Sequence, residues 1–208
     1  CIRDSLKASG VSGERIFFVG NTMVDTLLKQ RPYFKKPKLW DDVGLVEKGY
    51  IVTTLHRPAN VDEPSKLREV LEQLLATTRD LPIIFPVHPR TEKILSKLNF
   101  TNSRLHITAP LSYLEFNYLV EKAKAVVTDS GGITEEATIM MVPCITLRNS
   151  TERPETVTIG TNVLIGTDPK ALQGVMLDLF TDNWKRGSIP DKWDGHTAKR
   201  IIEIIIEL

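Results

Sequence analysis

The stretch TDSGGITEEAT, residues 128–138, joins a predicted buried strand to a predicted helix. The apolar run Ala125–Val127 precedes it, and Ile133 and Ala137 then continue with helical spacing. Two glycines and a serine therefore lie where the strand turns into the helix. Free N–H groups at a helix start, together with the partial positive charge of the helix dipole, form a site that favours phosphate.

Two interpretations of this corner are open from the residues alone. In the functional one, Gly131 and Gly132 expose amides to a phosphate and Ser130 adds a hydroxyl donor. Glu136, one turn into the helix on the side of Gly132, would accept hydrogen bonds from a pair of ribose hydroxyls. In the structural one, the glycines only permit a tight turn, and Glu135 and Glu136 lie in solvent and balance the helix dipole. The stretch is not a Walker loop, because no GK[ST] follows it.

The whole chain alternates short Ile- and Val-rich runs with helical patterns, which predicts an α/β fold with a Rossmann-like, doubly wound parallel sheet. The predicted strands are Ile16–Val19, Tyr50–Leu55, Ile83–Val87, Leu105–Thr108, Ala125–Thr128, Cys144–Leu147 and Asn162–Ile165. The predicted helices include Ile2–Ala8, Pro64–Thr78, Ser112–Lys122 with a Ser112/Glu115 capping box, and a helix from Asp168 to about Phe180. Residues 31–48 and 181–195 are expected to be surface connections.

The composition limits the possible partners. The 208 residues are 41% hydrophobic and 25% charged, and 27 basic against 26 acidic side chains give a formal net charge of +1. This balance argues against a nucleic-acid partner, and no apolar run is long enough for a membrane span. Cys1 and Cys144 show no pairing or metal spacing, so we expect a cytoplasmic protein with no bound metal and no cofactor.

Polar segments follow several of the predicted strands and should meet at one edge of the sheet. They contain two of the four histidines and four arginines, in His56-Arg57-Pro58-Ala59-Asn60, His88-Pro89-Arg90-Thr91 and the segment from Arg148 to Glu155. Each has a structural alternative: the histidines bond locally, Arg153 pairs with Glu152 or Glu155, and Phe116 belongs to the core. Taken together, the segments indicate a phosphate-bearing ligand, most simply a nucleotide.

The C-terminal segment TAKRIIEIIIEL is apolar over more than one helical face and requires burial on two sides. We therefore divide the chain into an α/β domain, residues 1–195, and a C-terminal helix, residues 196–208. The helix either packs within its own domain or contacts a preceding domain. The start of the chain at Cys1 rather than Met also fits a preceding domain.

The segments TLHRPANVD, PVHPRT, TDSGGITEEAT and NSTERPETV, in this order and spacing, resemble the non-hydrolysing UDP-N-acetylglucosamine 2-epimerases. The resemblance runs from GNTMVD, residues 20–25, to the C-terminal helix. That family has the two-domain architecture of GT-B glycosyltransferases, with the active site between the domains. The resemblance implies that this chain is the second, C-terminal domain and that a first domain precedes it.

The resemblance also implies roles for individual residues. Ser130, Gly131 and Gly132 would hold the UDP diphosphate, Glu136 the ribose and Phe116 the uracil, while Arg153 would face the nucleotide and sugar. His56 would lie beside the diphosphate with a catalytic role. His88 and Arg57 would contact a second, activating UDP-sugar. Many family members have Arg-Glu where this chain has Pro58-Ala59, so the activating site departs from the family pattern.

The implied reaction is inversion at C2 of the sugar, in which UDP is eliminated and added back after reprotonation on the other face. The acid/base carboxylates would come from the first domain, and the full-length enzyme would be a homodimer. Three alternatives remain: the nucleotide-binding half of a GT-B glycosyltransferase, a hydrolysing 2-epimerase, and a binding module without chemistry.

Overall fold

The computed structural model describes residues 2–87 and 89–207. Its helices are α1 Ile2–Ala8, α2 Thr22–Gln30, α3 Lys38–Val43, α4 Pro58–Val61, α5 Pro64–Thr77, α6 Pro89–Leu98, α7 Tyr113–Lys122, α8 Gly131–Ile139, α9 Pro154–Thr158, α10 Leu172–Phe180 and α11 Thr197–Glu207. Its strands are β1 Ile51–Thr54, β2 Ile83–Pro86, β3 Leu105–Thr108, β4 Ala125–Thr128, β5 Cys144–Thr146 and β6 Asn162–Leu164. Short 3-10 turns cover Gly13–Arg15, Arg31–Tyr33 and Pro169–Ala171.

The six strands form one parallel sheet in the order β3-β2-β1-β4-β5-β6. From β1 to β3 each strand is added toward one edge of the sheet, and from β4 to β6 each strand is added toward the other edge. The strand order therefore reverses between β1 and β4, which are adjacent in the middle of the sheet. This confirms the predicted doubly wound α/β fold.

Each face of the sheet has its own hydrophobic core, because successive strand residues point to opposite faces. In β1, Ile51 packs into the core that contains α5 and α10, whereas Val52 packs into the core that contains α7 and α8. Both residues are fully buried. The continuous apolar runs in the sequence therefore reflect strands that are covered by helices on both sides.

Local signals place the helices that flank the predicted site. Ser112 caps α7 by accepting a hydrogen bond from the Glu115 amide, and the Glu115 side chain bonds back to the Ser112 amide, as the capping-box pattern predicts. α8 is buried from Thr134 to Ile139, since it packs between the sheet and α2. This burial explains why α8 is more apolar than a helix on the protein surface.

Two predictions about the N-terminal third were wrong. Residues 16–19 form no strand: the segment lies outside the sheet, and Phe17 and Phe18 remain about half exposed. A short apolar run does not distinguish a strand from a segment that packs on a helix, and here the Val19 carbonyl accepts a hydrogen bond from Arg200 of α11. Residues 31–48 are more than a connection, because they contain α3, whose Trp40 packs edge-on against Tyr50.

The C-terminal helix is anchored at its N-terminal end. The Asp25 side chain of α2 accepts hydrogen bonds from the amides of Thr197 and Ala198, at 3.1 and 2.7 Å, and so caps the start of α11. Farther along, Ile205 and Ile206 are 66% and 78% exposed. Within the described residues, no helix is long and apolar enough to cross a membrane.

Candidate functional site

The loops that follow β1 and β4 meet at the carboxyl edge of the sheet, at the point where the strand order reverses. In open α/β sheets this is the position at which ligands bind. The β1 and β4 strands pair from Ile51↔Ala125 to Thr54↔Thr128, so the residues after Thr54 and Thr128 emerge side by side. Thr54 and Thr128 themselves share a 2.6 Å hydrogen bond between their hydroxyls.

Asp129, the first residue after β4, connects these two loops. Its side chain is completely buried, and its carboxylate accepts hydrogen bonds from the amides of His56 and Arg57 at 2.9 to 3.1 Å. The Asn60 amide group donates a further bond at 3.0 Å, and His56 Nδ1 lies 2.8 Å from Oδ1. The sequence does not identify Asp129 as a site residue, because its partners lie about 70 residues away along the chain.

His56 and Arg57, which follow β1, lie at this edge. The backbone of His56 is fixed by Asp129, yet 55% of its side chain is exposed. Arg57 donates from Nε to the Asp129 carbonyl at 3.1 Å, and its Nη2 lies 3.7 Å from the Glu152 carboxylate. His56 thus presents an accessible imidazole on a rigid support.

The start of α8 has no side-chain cap and is open at Gly132. The N-cap residue Ser130 is extended and makes no side-chain cap hydrogen bond, and its own amide donates to the Thr128 hydroxyl at 3.0 Å. A methyl group built on Gly132 would meet nothing within 4 Å, apart from the backbone of α8 itself. On Gly131 it would meet Glu152 Oε2 at 3.5 Å. Gly132 therefore faces open space at the positive end of the helix.

A buried arginine and an exposed glutamate form a pair beside Gly131. Arg148, with 8% of its side chain exposed, donates two hydrogen bonds to the Glu152 carboxylate, at 2.8 and 2.5 Å. This bidentate contact lowers the pKa of Glu152 to about 2. The Glu152 carboxylate therefore remains ionised at neutral pH and compensates the Arg148 charge.

Arg153 lies on the flank of α8, where it forms an ion pair with Glu135. The Glu135 side chain is 3% exposed, and the same carboxylate oxygen accepts a 2.6 Å hydrogen bond from the Asn21 amide group. The alternative in which Arg153 pairs with Glu152 or Glu155 is wrong. The alternative in which Glu135 and Glu136 lie in solvent is also wrong, because both are buried.

Glu136 is 7% exposed, and this burial raises its pKa. The side chains of Tyr113 and Asn117, one turn apart on α7, interact with its carboxylate by hydrogen bonding and oppose part of the shift. Phe116, on the same turn of α7, is only partly buried and packs against the core. The first turns of α7 therefore place Tyr113 and Asn117 beside Glu136. Neither Tyr113 nor Asn117 was identified from the sequence.

His88 lies outside the described residues. Eight of the nine predicted site residues lie on elements that meet at the carboxyl edge of the sheet or flank α8: His56, Arg57, Ser130, Gly131, Gly132, Glu136, Phe116 and Arg153. No sequence pattern marks Asp129 or Glu135 as partners of these residues, or Asn21 as a second partner of Glu135.

Known proteins resemble the chain over almost its full length. The profile of the UDP-N-acetylglucosamine 2-epimerase family matches residues 2–206. The UDP-N-acetylglucosamine 2-epimerase of Methanocaldococcus jannaschii is 37% identical over 215 residues, which cover 98% of this chain and 58% of that enzyme. The UDP-2,3-diacetamido-2,3-dideoxy-D-glucuronate 2-epimerase of Pseudomonas aeruginosa is 35% identical over 167 residues, 78% of this chain and 46% of that protein. The chain thus spans about half the length of these relatives.

Solved structures give the same result. The crystal structure of the M. jannaschii UDP-GlcNAc 2-epimerase, in complex with UDP-GlcNAc and UDP, superposes with a TM-score of 0.80 at 36% identity. The superposition covers 99% of this chain and 59% of that one, in its C-terminal part. Fold and sequence agree on one assignment. The chain belongs to the UDP-N-acetylglucosamine 2-epimerase family.

Proposed function

We propose that this chain binds the UDP moiety of UDP-N-acetylglucosamine and that the whole protein interconverts this substrate with UDP-N-acetylmannosamine by epimerisation at C2. The observation that carries the proposal is the open, uncapped start of α8 above Gly132, located beside His56 at the reversal point of the sheet. A diphosphate is the ligand chemistry that this arrangement favours.

The diphosphate would bind at the first turn of α8. The amides of Gly131 and Gly132 supply fixed donors, the Ser130 hydroxyl can add another, and His56 lies across the same opening. Because these donors are held by the fold before the ligand arrives, they stabilise negative charge without reorganisation. Breaking the C1–O bond of the sugar places this charge on the leaving UDP.

The nucleoside would extend along α8 toward α7. The Glu136 carboxylate would accept hydrogen bonds from the ribose hydroxyls, and Tyr113 and Asn117 offset part of the rise in its pKa that burial causes. Phe116 would line the uracil pocket with its partly exposed ring. Arg153, held by Glu135, would face the nucleotide and sugar.

The C2 proton must be removed and returned by groups placed on the sugar. We assign these acid/base carboxylates to a first domain that would precede this chain in the whole protein. The groove between α1, the segment Ile16–Val19 and α11 would contact that domain. It has a volume of about 550 Å³ and is lined by Leu6, Ile16, Phe17, Val19, Ile201, Ile204 and Ile205. This chain alone would then bind UDP without epimerising.

The assembled enzyme would be a cytoplasmic homodimer without a cofactor. An activating second UDP-sugar would contact Arg57 and His88. In this chain Pro58 and Ala59 replace the family's Arg-Glu and form the first turn of α4, and the Arg57 guanidinium already contacts the Asp129 carbonyl and Glu152. Substrate activation would therefore be weaker than in family members that retain Arg-Glu.

A second candidate substrate differs from the first in its sugar. The P. aeruginosa relative is named for C2 epimerisation of UDP-2,3-diacetamido-2,3-dideoxy-D-glucuronate. Both substrates carry UDP and both names specify the C2 position, so the proposed UDP site suits either sugar. Comparing both substrates in one assay distinguishes the candidates.

The first prediction concerns Gly132→Ala. The added methyl group clashes with no atom of the protein outside the α8 backbone but occupies the open space assigned to the diphosphate. We expect UDP affinity to fall at least about tenfold, or ~1.4 kcal/mol, while stability is unchanged or higher, because alanine favours a helix over glycine. Calorimetric titration and urea unfolding measure the two effects.

Gly174→Ala is the matched control for this substitution. Gly174 lies in α10 and also has nothing within 4 Å of an added methyl group. It should leave UDP affinity unchanged. Wild-type affinity in Gly132→Ala would contradict the proposed phosphate position.

The second prediction concerns Glu136→Gln, which removes a buried charge and a ribose acceptor. The raised pKa means that the folded state binds more protons than the unfolded state between pH 4.5 and the folded pKa, so wild-type stability falls as pH rises through this window. The variant should be more stable than wild type at pH 8, and the difference should shrink toward pH 4. UDP affinity at pH 8 should fall about tenfold or more, because hydrogen bonds to a charged acceptor are lost.

Urea unfolding at both pH values and UDP titration at pH 8 test this trade-off. The substitution Glu92→Gln on the exposed surface of α6 serves as control. A variant that is less stable than wild type at pH 8, or that binds UDP equally well, would show that Glu136 does not have this role.

The third prediction distinguishes the reaction classes. In deuterated water, the whole protein should incorporate deuterium at C2 of UDP-N-acetylglucosamine, since the C2 proton exchanges during elimination and re-addition. A glycosyltransferase leaves C2 unlabelled, a hydrolysing epimerase releases free N-acetylmannosamine, and a binding module produces neither. Mass spectrometry and product analysis separate these outcomes, and unlabelled substrate would refute the proposed reaction.

A further inference from the structure

We infer that Asp129 is a positioning residue that fixes His56 in its Nδ1–H tautomer, so that Nε2 is the ring nitrogen presented to the ligand. The inference concerns the geometry of the histidine itself. Its functional meaning rests on the proposed function, in which His56 lies beside a diphosphate.

The surroundings of Asp129 determine which atom carries the proton. The buried carboxylate is an acceptor for the amides of His56 and Arg57 and for the Asn60 side chain. His56 Nδ1 lies 2.8 Å from Oδ1, a hydrogen-bond distance. A carboxylate already engaged by these donors has no proton to give, so Nδ1 must donate. In the neutral ring, Nε2 then carries the lone pair.

This arrangement gives Nε2 a defined chemistry. With this tautomer, the exposed Nε2 accepts a hydrogen bond when the ring is neutral and donates one when it is protonated, while Nδ1, 2.8 Å from Asp129 Oδ1, keeps its proton in both states. The ring can therefore exchange a proton with a ligand only through Nε2. A buried carboxylate behind a histidine is a general way to fix ring orientation and tautomer.

A purely structural role is the competing explanation, because Asp129 also anchors the backbone of the β1 loop. Asn60 separates the two roles. Its side chain donates to Asp129 Oδ2 at 3.0 Å and to the Leu147 carbonyl at 3.2 Å, so it anchors the same loop. The His56 ring, in contrast, approaches Oδ1.

The substitution Asp129→Asn should reverse the tautomer. Oδ2 accepts from the Arg57 amide and the Asn60 side chain, so the single oxygen of an asparagine belongs at that position. Its NH₂ group then lies at the Oδ1 position, opposite His56 Nδ1. A donor at that position makes Nδ1 an acceptor and moves the ring proton to Nε2.

The experiment is ¹⁵N NMR of the histidine-labelled chain at a pH where His56 is neutral, with His56→Asn used to assign its signal among the four histidines. In wild type we expect the pyrrole-type shift on Nδ1 and the pyridine-type shift on Nε2. Asp129→Asn should exchange the two shifts, whereas Asn60→Ala, which loses a loop anchor alone, should retain the wild-type pattern.

An Nε2–H tautomer in wild type would overturn the inference, and the wild-type spectrum alone is enough to show it. The same tautomer in wild type and in a folded Asp129→Asn variant would also overturn it. Addition of UDP tests the proposed function separately. If UDP shifts neither the His56 ring nitrogens nor the α8 amides, the ligand assignment fails while the tautomer result stands.

Discussion

The arrangement of the carboxyl edge of the sheet depends on the hydrogen bonds that the buried Asp129 carboxylate accepts. A desolvated carboxylate requires several donors, and here they come from the segment His56–Asn60, about 70 residues away in sequence. Satisfying Asp129 therefore fixes the β1 loop against the start of α8. The accessible His56 ring and the open amides near Gly132 keep their relative positions before a ligand binds.

Charge at this edge is largely compensated within the protein. Arg148 pairs with Glu152, and Arg153 pairs with Glu135. Two of the arginines that follow β5 are thus held in place by carboxylates, and the start of α8 supplies positive potential through its backbone. Such fixed dipoles suit a leaving diphosphate, because the transition state gains charge where donors already point.

The sequence predicted those features that depend on neighbouring residues. Continuous Ile and Val runs located the six strands to within one residue at each end, and Ser112 with Glu115 located the start of α7. Features that depend on distant contacts were missed. Ile16–Val19 has the composition of a strand but packs beside α11. Helix α3 was not predicted, because the segment around it contains several lysines and prolines. Nothing in the sequence distinguishes Asp129 from other polar residues, because its contact with His56 exists only in the folded chain.

A structure of the chain with bound UDP tests the central claim most directly, since that claim is about which atoms hold the two phosphoryl groups. The account predicts phosphate oxygens within about 3 Å of the Gly131 and Gly132 nitrogens, with the ribose directed toward Glu136. Bound UDP whose phosphates lie away from the first turn of α8, with those two amides facing solvent, would contradict it.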